Sequence, residues 1–297
     1  MTPADFEHLA ELVKTRSGIV LTPEKTYLMN SRLTPVARKY SLDGVGDLVK
    51  ALKSGANAAS IETDIVEAMT TNESFFFRDT TPFDIFRDIM LPHILQARAA
   101  KKSFRIWCAA ASAGQEPYSL SMILKEHSHK LPGWRHEIVG TDISEEILEK
   151  ARTGLYSQFE VQRGLPITLL AKYFEKQGDL WQVNAALRAM VQYRKFNLLD
   201  RFQGLGQFDI VFCRNVLIYF DRETKADILA RIAAQMPADG FLILGAAETV
   251  IGITDVFEPV KGSRGLYRRA GTAAAAPAGV AAPRPATAGL ATARAIA

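Results

Sequence analysis

The residues best suited to chemistry follow two short apolar runs. Phe104 to Ala109 leads into Ala110-Ala111-Ser112-Ala113-Gly114-Gln115-Glu116, and His136 to Gly140 ends in Thr141-Asp142. Small residues after a strand let the backbone approach a ligand closely, and the start of the following helix offers free N–H groups. An acid at the end of the next strand is where a ribose hydroxyl is held in open α/β sheets. Together they imply a nucleoside-containing ligand. The first loop has no G-x-G-x-x-G and no Gly-Lys-Ser or Gly-Lys-Thr, which sets dinucleotides and phosphate-loop nucleotides aside and leaves a nucleoside without phosphates. The loop alone does not fix which one, because small residues after a strand also serve tight packing. Glu116 would be favourable at a helix start for dipole reasons alone.

Other chemistry finds little support. The five histidines, at 8, 93, 127, 129 and 136, have no ligand spacing, and no metal site is expected. Cys108 and Cys213 each sit in an apolar run and read as small core residues rather than a disulfide.

The elements that must position these residues fall into two groups. Residues 1–75 read as a small all-helical unit. Phe6, Leu9, Leu12 and Val13 recur at helical spacing, as do Tyr27, Leu28, Leu33 and Val36, and the pattern continues through Asp43–Leu52 and Ser60–Met69. From about residue 76 to 270, strands alternate with helices. Strands are expected at Phe104–Ala109, His136–Gly140, Gln207–Cys213 and Gly240–Gly245. Helices are expected at Glu116–His129, from Glu145 with Ser144 as cap, and at Lys225–Met236. Such alternation gives an α/β domain, a mostly parallel sheet with helices on both faces. Leu180–Val183 and Ala189–Phe196 read as a hairpin, a small β-subdomain at about 178–196. Residues 271–297, nearly all Ala, Pro, Gly and Thr, cannot bury a core and read as a disordered tail.

A net charge of +4 from scattered basic residues gives no polybasic run, so nucleic-acid binding is not indicated. The most apolar late stretch, Gly240–Phe257, is broken by Glu248 and Asp255, which argues against membrane insertion. With no signal-peptide pattern at the start, a cytoplasmic location is expected.

Four blocks carry a family resemblance. They are Thr70-Thr71-Asn72-Glu73-Ser74-Phe75-Phe76-Phe77-Arg78-Asp79, the stretch from Arg105 to Ser119, Gly140-Thr141-Asp142-Ile143-Ser144, and Phe208 to Phe220. In order and spacing they resemble the chemotaxis-receptor methyltransferases, the CheR family, over about residues 5 to 269. The resemblance implies a Rossmann-like S-adenosylmethionine methyltransferase domain behind the helical unit. S-adenosyl-L-methionine would be the cofactor, S-adenosyl-L-homocysteine the product, and receptor glutamate the acceptor, making the chain a protein-glutamate O-methyltransferase.

It further implies that Asn72, Ser74 and Arg78 line the methionine end and the transfer site. Glu116 would contact the methionine moiety and Asp142 the ribose, with Asn197 and Leu198 flanking the adenine. Arg214 and Asn215 would close the site with Tyr219 nearby; Arg78 and Tyr219 are the catalytic candidates. Two positions depart from the family pattern: Ala110 stands where many relatives have glycine, and Ala113 where they often have Thr or Ser. Plainer readings exist as well. Phe75, Phe76 and Phe77 suit a core wall, Tyr118 and Tyr219 suit core residues with satisfied hydroxyls, and Arg78 beside Asp79 suits a surface pair.

A glutamate carboxylate, with a reference pKa of about 4.3, is ionised at neutral pH, so methylating it needs orientation rather than a general base. The missing Ser-His or His-Asp constellation accords with that. Arg78 is the first candidate to hold the substrate carboxylate and Arg214 the second. Lys25, Arg32, Arg38 and Lys39 lie on or near one expected helix, a set that reads either as a solvated surface or as a dock for the acidic cytoplasmic helices of methyl-accepting chemoreceptors. The stretch Gly178–Phe196 lacks the glycine-bearing insertion of tethering relatives, so receptor binding without a C-terminal peptide is expected. The competing readings are methylation of a non-chemotaxis receptor, a catalytically silent cofactor-sensing docking module, and a small-molecule or nucleic-acid methyltransferase. The last leaves the Thr70–Asp79 block and the helical unit unexplained.

Overall fold

A computed structural model describes residues 1–55 and 57–271; the Ala/Pro-rich segment expected to be disordered lies outside the described residues, apart from Gly271. The chain opens with α1 (Pro3–Ser17), α2 (Thr26–Lys39), α3 (Val45–Ser54) and α4 (Ala58–Met69). Helix α1 starts on a capping box in which Thr2 accepts from the Asp5 N–H and the Asp5 carboxylate accepts from the Thr2 N–H. These helices bury one another around Leu9, Val13, Met29, Leu33, Leu48 and Ile65. On α2 the buried set is Met29, Leu33, Val36 and Ala37, whereas Tyr27 is exposed. The spacing identified the helix and its buried Leu33 and Val36 but misplaced the N-terminal end of the face, where Met29 is buried and Tyr27, in the first turn, is exposed.

After α5 (Thr81–Ile85), a π-turn and α6 (Leu91–Ala97), the α/β domain begins. Its strands are β1 (Ser103–Ala109), β2 (Arg135–Asp142), β3 (Leu155–Ser157), β4 (Phe174–Gln177), β5 (Leu180–Val183), β6 (Val191–Lys195), β7 (Ile210–Cys213), β8 (Phe241–Leu244), β9 (Phe257–Pro259) and β10 (Leu266–Arg269). The intervening helices are α7 (Gln115–Glu126), α8 (Glu145–Thr153), α9 (Gln158–Gln162), α10 (Ile167–Tyr173), α11 (Ala185–Arg188) and α12 (Arg222–Ala234). The main sheet runs β6-β2-β1-β7-β8-β10-β9. Its first five strands pair in parallel, and β10 is antiparallel to both β8 and β9.

Strand side chains alternate between faces, and both faces are covered, so the central strands are apolar throughout. Phe104, Ile106, Cys108, Ile210, Phe212, Phe241 and Ile243 enter the core beneath α5–α7. Trp107, Ala109, Val211, Cys213, Leu242 and Leu244 enter the core beneath α12. Both cysteines are free and buried, and burial pushes each thiol well above its usual range.

The expected hairpin is corrected. Leu180–Val183 pairs with β3 and β4 in a separate three-stranded antiparallel sheet, while Val191–Lys195 joins the main sheet in parallel with β2. Two neighbouring strand-like segments look like a hairpin in sequence, but the short helix α11 between them carries the chain from one sheet to the other. Among the described residues, no helix is long and apolar enough to cross a membrane.

Candidate active site

Strand order reverses between β1 and β7, and a parallel sheet opens its crevice there, beyond the carboxyl ends of the strands. A cleft lies in that position. The loop after β1 supplies Ala110 and Ser112, the first turn of α7 supplies Glu116, β2 supplies Asp142, and the loop after β7 supplies Arg214 and Asn215. All ten sequence-derived site residues line it, since Asn72, Ser74, Arg78, Asn197, Leu198 and Tyr219 complete its walls. One more wall was not anticipated: Ser17 and Ile19, at the end of α1, also face the cleft. Nothing in their residue types announces this.

The β1 loop turns through two left-handed residues, Ala110 (φ 59°) and Ser112 (φ 51°). Ala110 therefore carries the strain of an L-residue in the left-handed region. Ser112 Oγ donates to the Asn72 carbonyl at 2.8 Å, tying the Thr70–Asp79 segment to the sheet. Asp142 is 6% exposed, and each of its oxygens accepts one backbone N–H, from Ser112 at 2.9 Å and Ser144 at 3.1 Å. Burial raises its pKa and those N–H bonds oppose the rise. Each oxygen keeps a further lone pair, which is the acceptor pattern a ribose diol needs.

Arg214 and Glu116 form a buried pair. Arg214 Nη1 donates to Glu116 Oε2 at 2.6 Å, and Nη2 donates to Asp79 at 2.7 Å and to the Arg78 carbonyl at 2.8 Å. Burial raises the Glu116 pKa while Arg214 opposes the rise. Arg78 differs. Its guanidinium donates to the Glu73 carbonyl at 2.8 Å and lies 5.5 Å from the Phe75 ring, but it makes no ion pair among the described residues. The surface pair with Asp79 is therefore not formed; Asp79 instead partners Arg214. Of the three phenylalanines, Phe76 is fully buried in the core, while Phe75 carries the guanidiniums of Arg78 and, at 4.3 Å, Arg163.

Asn197 lines the cleft, yet its amide is engaged: Nδ2 donates to the Arg16 carbonyl at 2.6 Å and Oδ1 accepts from the Leu199 N–H at 3.0 Å. Tyr118 fits the core reading, with its hydroxyl donating to the Ala151 carbonyl at 2.6 Å and burial pushing its pKa up to about 12. On the basic face of α2, Arg32 is withdrawn. It donates to the carbonyls of Met69 and Thr70 and to Thr71 Oγ1, bracing the link between the two units rather than facing outward. Lys39 pairs with Asp64 at 2.7 Å, and Lys25 and Arg38 remain exposed. The sequence grouped the four on or near one helix and could not show this, because the chain that claims Arg32, at Met69–Thr71, is remote in sequence.

A family model described as "CheR methyltransferase, SAM binding domain" matches residues 72–266, and one described as "CheR methyltransferase, all-alpha domain" matches residues 4–70. "Chemotaxis protein methyltransferase 1" of Pseudomonas aeruginosa is 40% identical over 271 residues, which cover 90% of this chain and 98% of that one. "Chemotaxis protein methyltransferase Cher2" of Pseudomonas putida is 38% identical over 270 residues, covering 90% and 98%. "Chemotaxis protein methyltransferase" of Salmonella typhimurium is 34% identical over 261 residues, covering 86% and 88%.

Proposed function

The chain belongs to the CheR methyltransferase family, and from that premise we propose that it methylates glutamate carboxylates on the cytoplasmic helices of methyl-accepting chemoreceptors, forming glutamate methyl esters. Membership makes it an S-adenosylmethionine-dependent methyltransferase of chemotaxis. The acceptor is the finer step, and one observation carries it: Arg78 presents a cation at the cleft without an ion pair among the described residues. A carboxylate entering an apolar cleft needs such a partner.

The cleft residues divide the work. Asp142 would hold the ribose diol through the lone pairs its backbone bonds leave open. Glu116, paired with Arg214, would face the methionine amino group. Arg78 would hold one oxygen of the substrate carboxylate and leave the other free for transfer, while Tyr219 would help to wall the site from water. When bound, S-adenosylmethionine supplies an electrophilic methyl on a sulfonium whose charge disappears on transfer. The acceptor is ionised at neutral pH, so no side chain has to remove a proton, and orientation is the main contribution, worth roughly 7–11 kcal/mol in near-attack geometry.

Lys25 and Arg38 are the outward cations of the docking face. The hairpin of β4 and β5 turns through Gly178 and Asp179 alone, which favours docking without a tethering peptide, and the receptor helices to be reached are cytoplasmic. The test uses methyl-labelled S-adenosylmethionine and a receptor cytoplasmic fragment. Label on the fragment that mild alkali releases as methanol supports glutamate esterification. Alkali-stable label, or none, contradicts it.

A further inference from the structure

Glu248 lies in the loop after β8, outside the cleft lining, and is only 9% exposed. Its carboxylate accepts four backbone N–H groups. Oε2 takes those of Asn215 at 2.8 Å and Gly245 at 2.7 Å, and Oε1 those of Val216 at 2.9 Å and Leu217 at 2.7 Å. Three of the four are consecutive and begin immediately after Arg214. They need such a partner, because β7 ends at Cys213 and Asn215 turns through a left-handed conformation (φ 59°) that breaks the ladder. Gly245 makes the approach possible. A Cβ there would lie 2.7 Å from Glu248 Oε2 and 3.0 Å from the Asn215 nitrogen.

The geometry points to Glu248 as a positioning residue of the cofactor pocket, a buried carboxylate that fixes the backbone at 215–217 so that Arg214, Asn215 and Tyr219 face the cleft. No neutral side chain of the same shape can replace it. A glutamine has one acceptor oxygen, and its NH₂ would confront two of the backbone donors. The inference rests on the reading of this cleft as the S-adenosylmethionine site and is independent of the acceptor.

The test is S-adenosylhomocysteine titration of wild type, Glu248→Gln and Gly245→Ala, with Leu48→Ala as a control. Leu48 is fully buried on α3 in the core of the helical unit, a cluster that includes none of the clamp residues, and its truncation lowers stability. At a temperature where all are folded, both clamp variants should bind at least tenfold more weakly, and the control within twofold of wild type. Equal affinity in the clamp variants, or an equal loss in the control, overturns the inference. Amide exchange in the wild type supplies a readout that needs no variant. Asn215, Val216 and Leu217 should exchange as slowly as the amides of β7, and exchange at open-loop rates would overturn the clamp. Should the wild type itself bind no S-adenosylhomocysteine, the cleft assignment fails first and this inference with it, a result distinct from loss in the clamp variants alone.

Discussion

Arg78 and Arg214 have the same side chain and different surroundings, which gives them different work. Arg214 is committed to Glu116 and Asp79 inside the protein, with its side chain 1% exposed. Removing it leaves a buried carboxylate unpaired, so Arg214→Ala should cost about 3–5 kcal/mol in denaturant unfolding. Arg78 has no such partner among the described residues. Arg78→Ala should therefore melt near the wild-type temperature and bind S-adenosylhomocysteine within a few fold, while methyl transfer falls roughly 100-fold, as for loss of one preorganised electrostatic contact. Equal losses of binding and transfer would move Arg78 into the cofactor-holding role. The residue types of the site were legible in sequence because four blocks carry them together. Glu248 was not, because three of its four partners are backbone N–H groups some 30 residues away that have no sequence signature.

At the scale of elements, the central strands were readable because burial on both faces makes them continuous apolar runs. The small sheet and the pairing of β6 in the main one were not. Strand β3 has only three residues, and β6, Val191-Gln192-Tyr193-Arg194-Lys195, is a polar edge strand whose partner β2 lies some 50 residues earlier. The connection from α9 to α10 also supports the site. Gly164 adopts φ 83°, and a Cβ there would lie 2.1 Å from the Phe76 carbonyl oxygen, while its neighbour Arg163 pairs with Glu73 at 2.7 Å. Gly164→Ala should cost more than about 1 kcal/mol and displace the Asn72–Arg78 segment, lowering transfer along with stability. A variant as stable and active as wild type would show that this contact is not needed.

At the scale of the molecule, the helical unit forms one wall of the pocket. The Val20 N–H donates to the Tyr219 carbonyl at 2.9 Å, Asn197 holds the Arg16 carbonyl, and the Glu67 carboxylate accepts from the Glu145 N–H at 3.0 Å at the start of α8. Lys14 pairs with Asp221 at 3.0 Å across the same boundary. Hydrogen bonds at Thr224, with Lys14 adding to them, lower the Asp221 pKa from 3.8 to about 2. A depressed folded pKa stabilises above the unfolded value and ceases to do so as pH falls through the folded one. Asp221→Asn should therefore melt lower than wild type at pH 7, by no more than about 1 kcal/mol of stability for so accessible a pair, with the gap closing between about pH 4 and pH 2. A gap unchanged across that range would contradict the assignment.

The most direct test of the cleft as the cofactor site is calorimetric titration with S-adenosylhomocysteine, comparing wild type and Asp142→Ala. Micromolar-range binding by the wild type, lost in a folded Asp142→Ala, is the predicted result. Equal binding by both proteins, or none by a folded wild type, would contradict it.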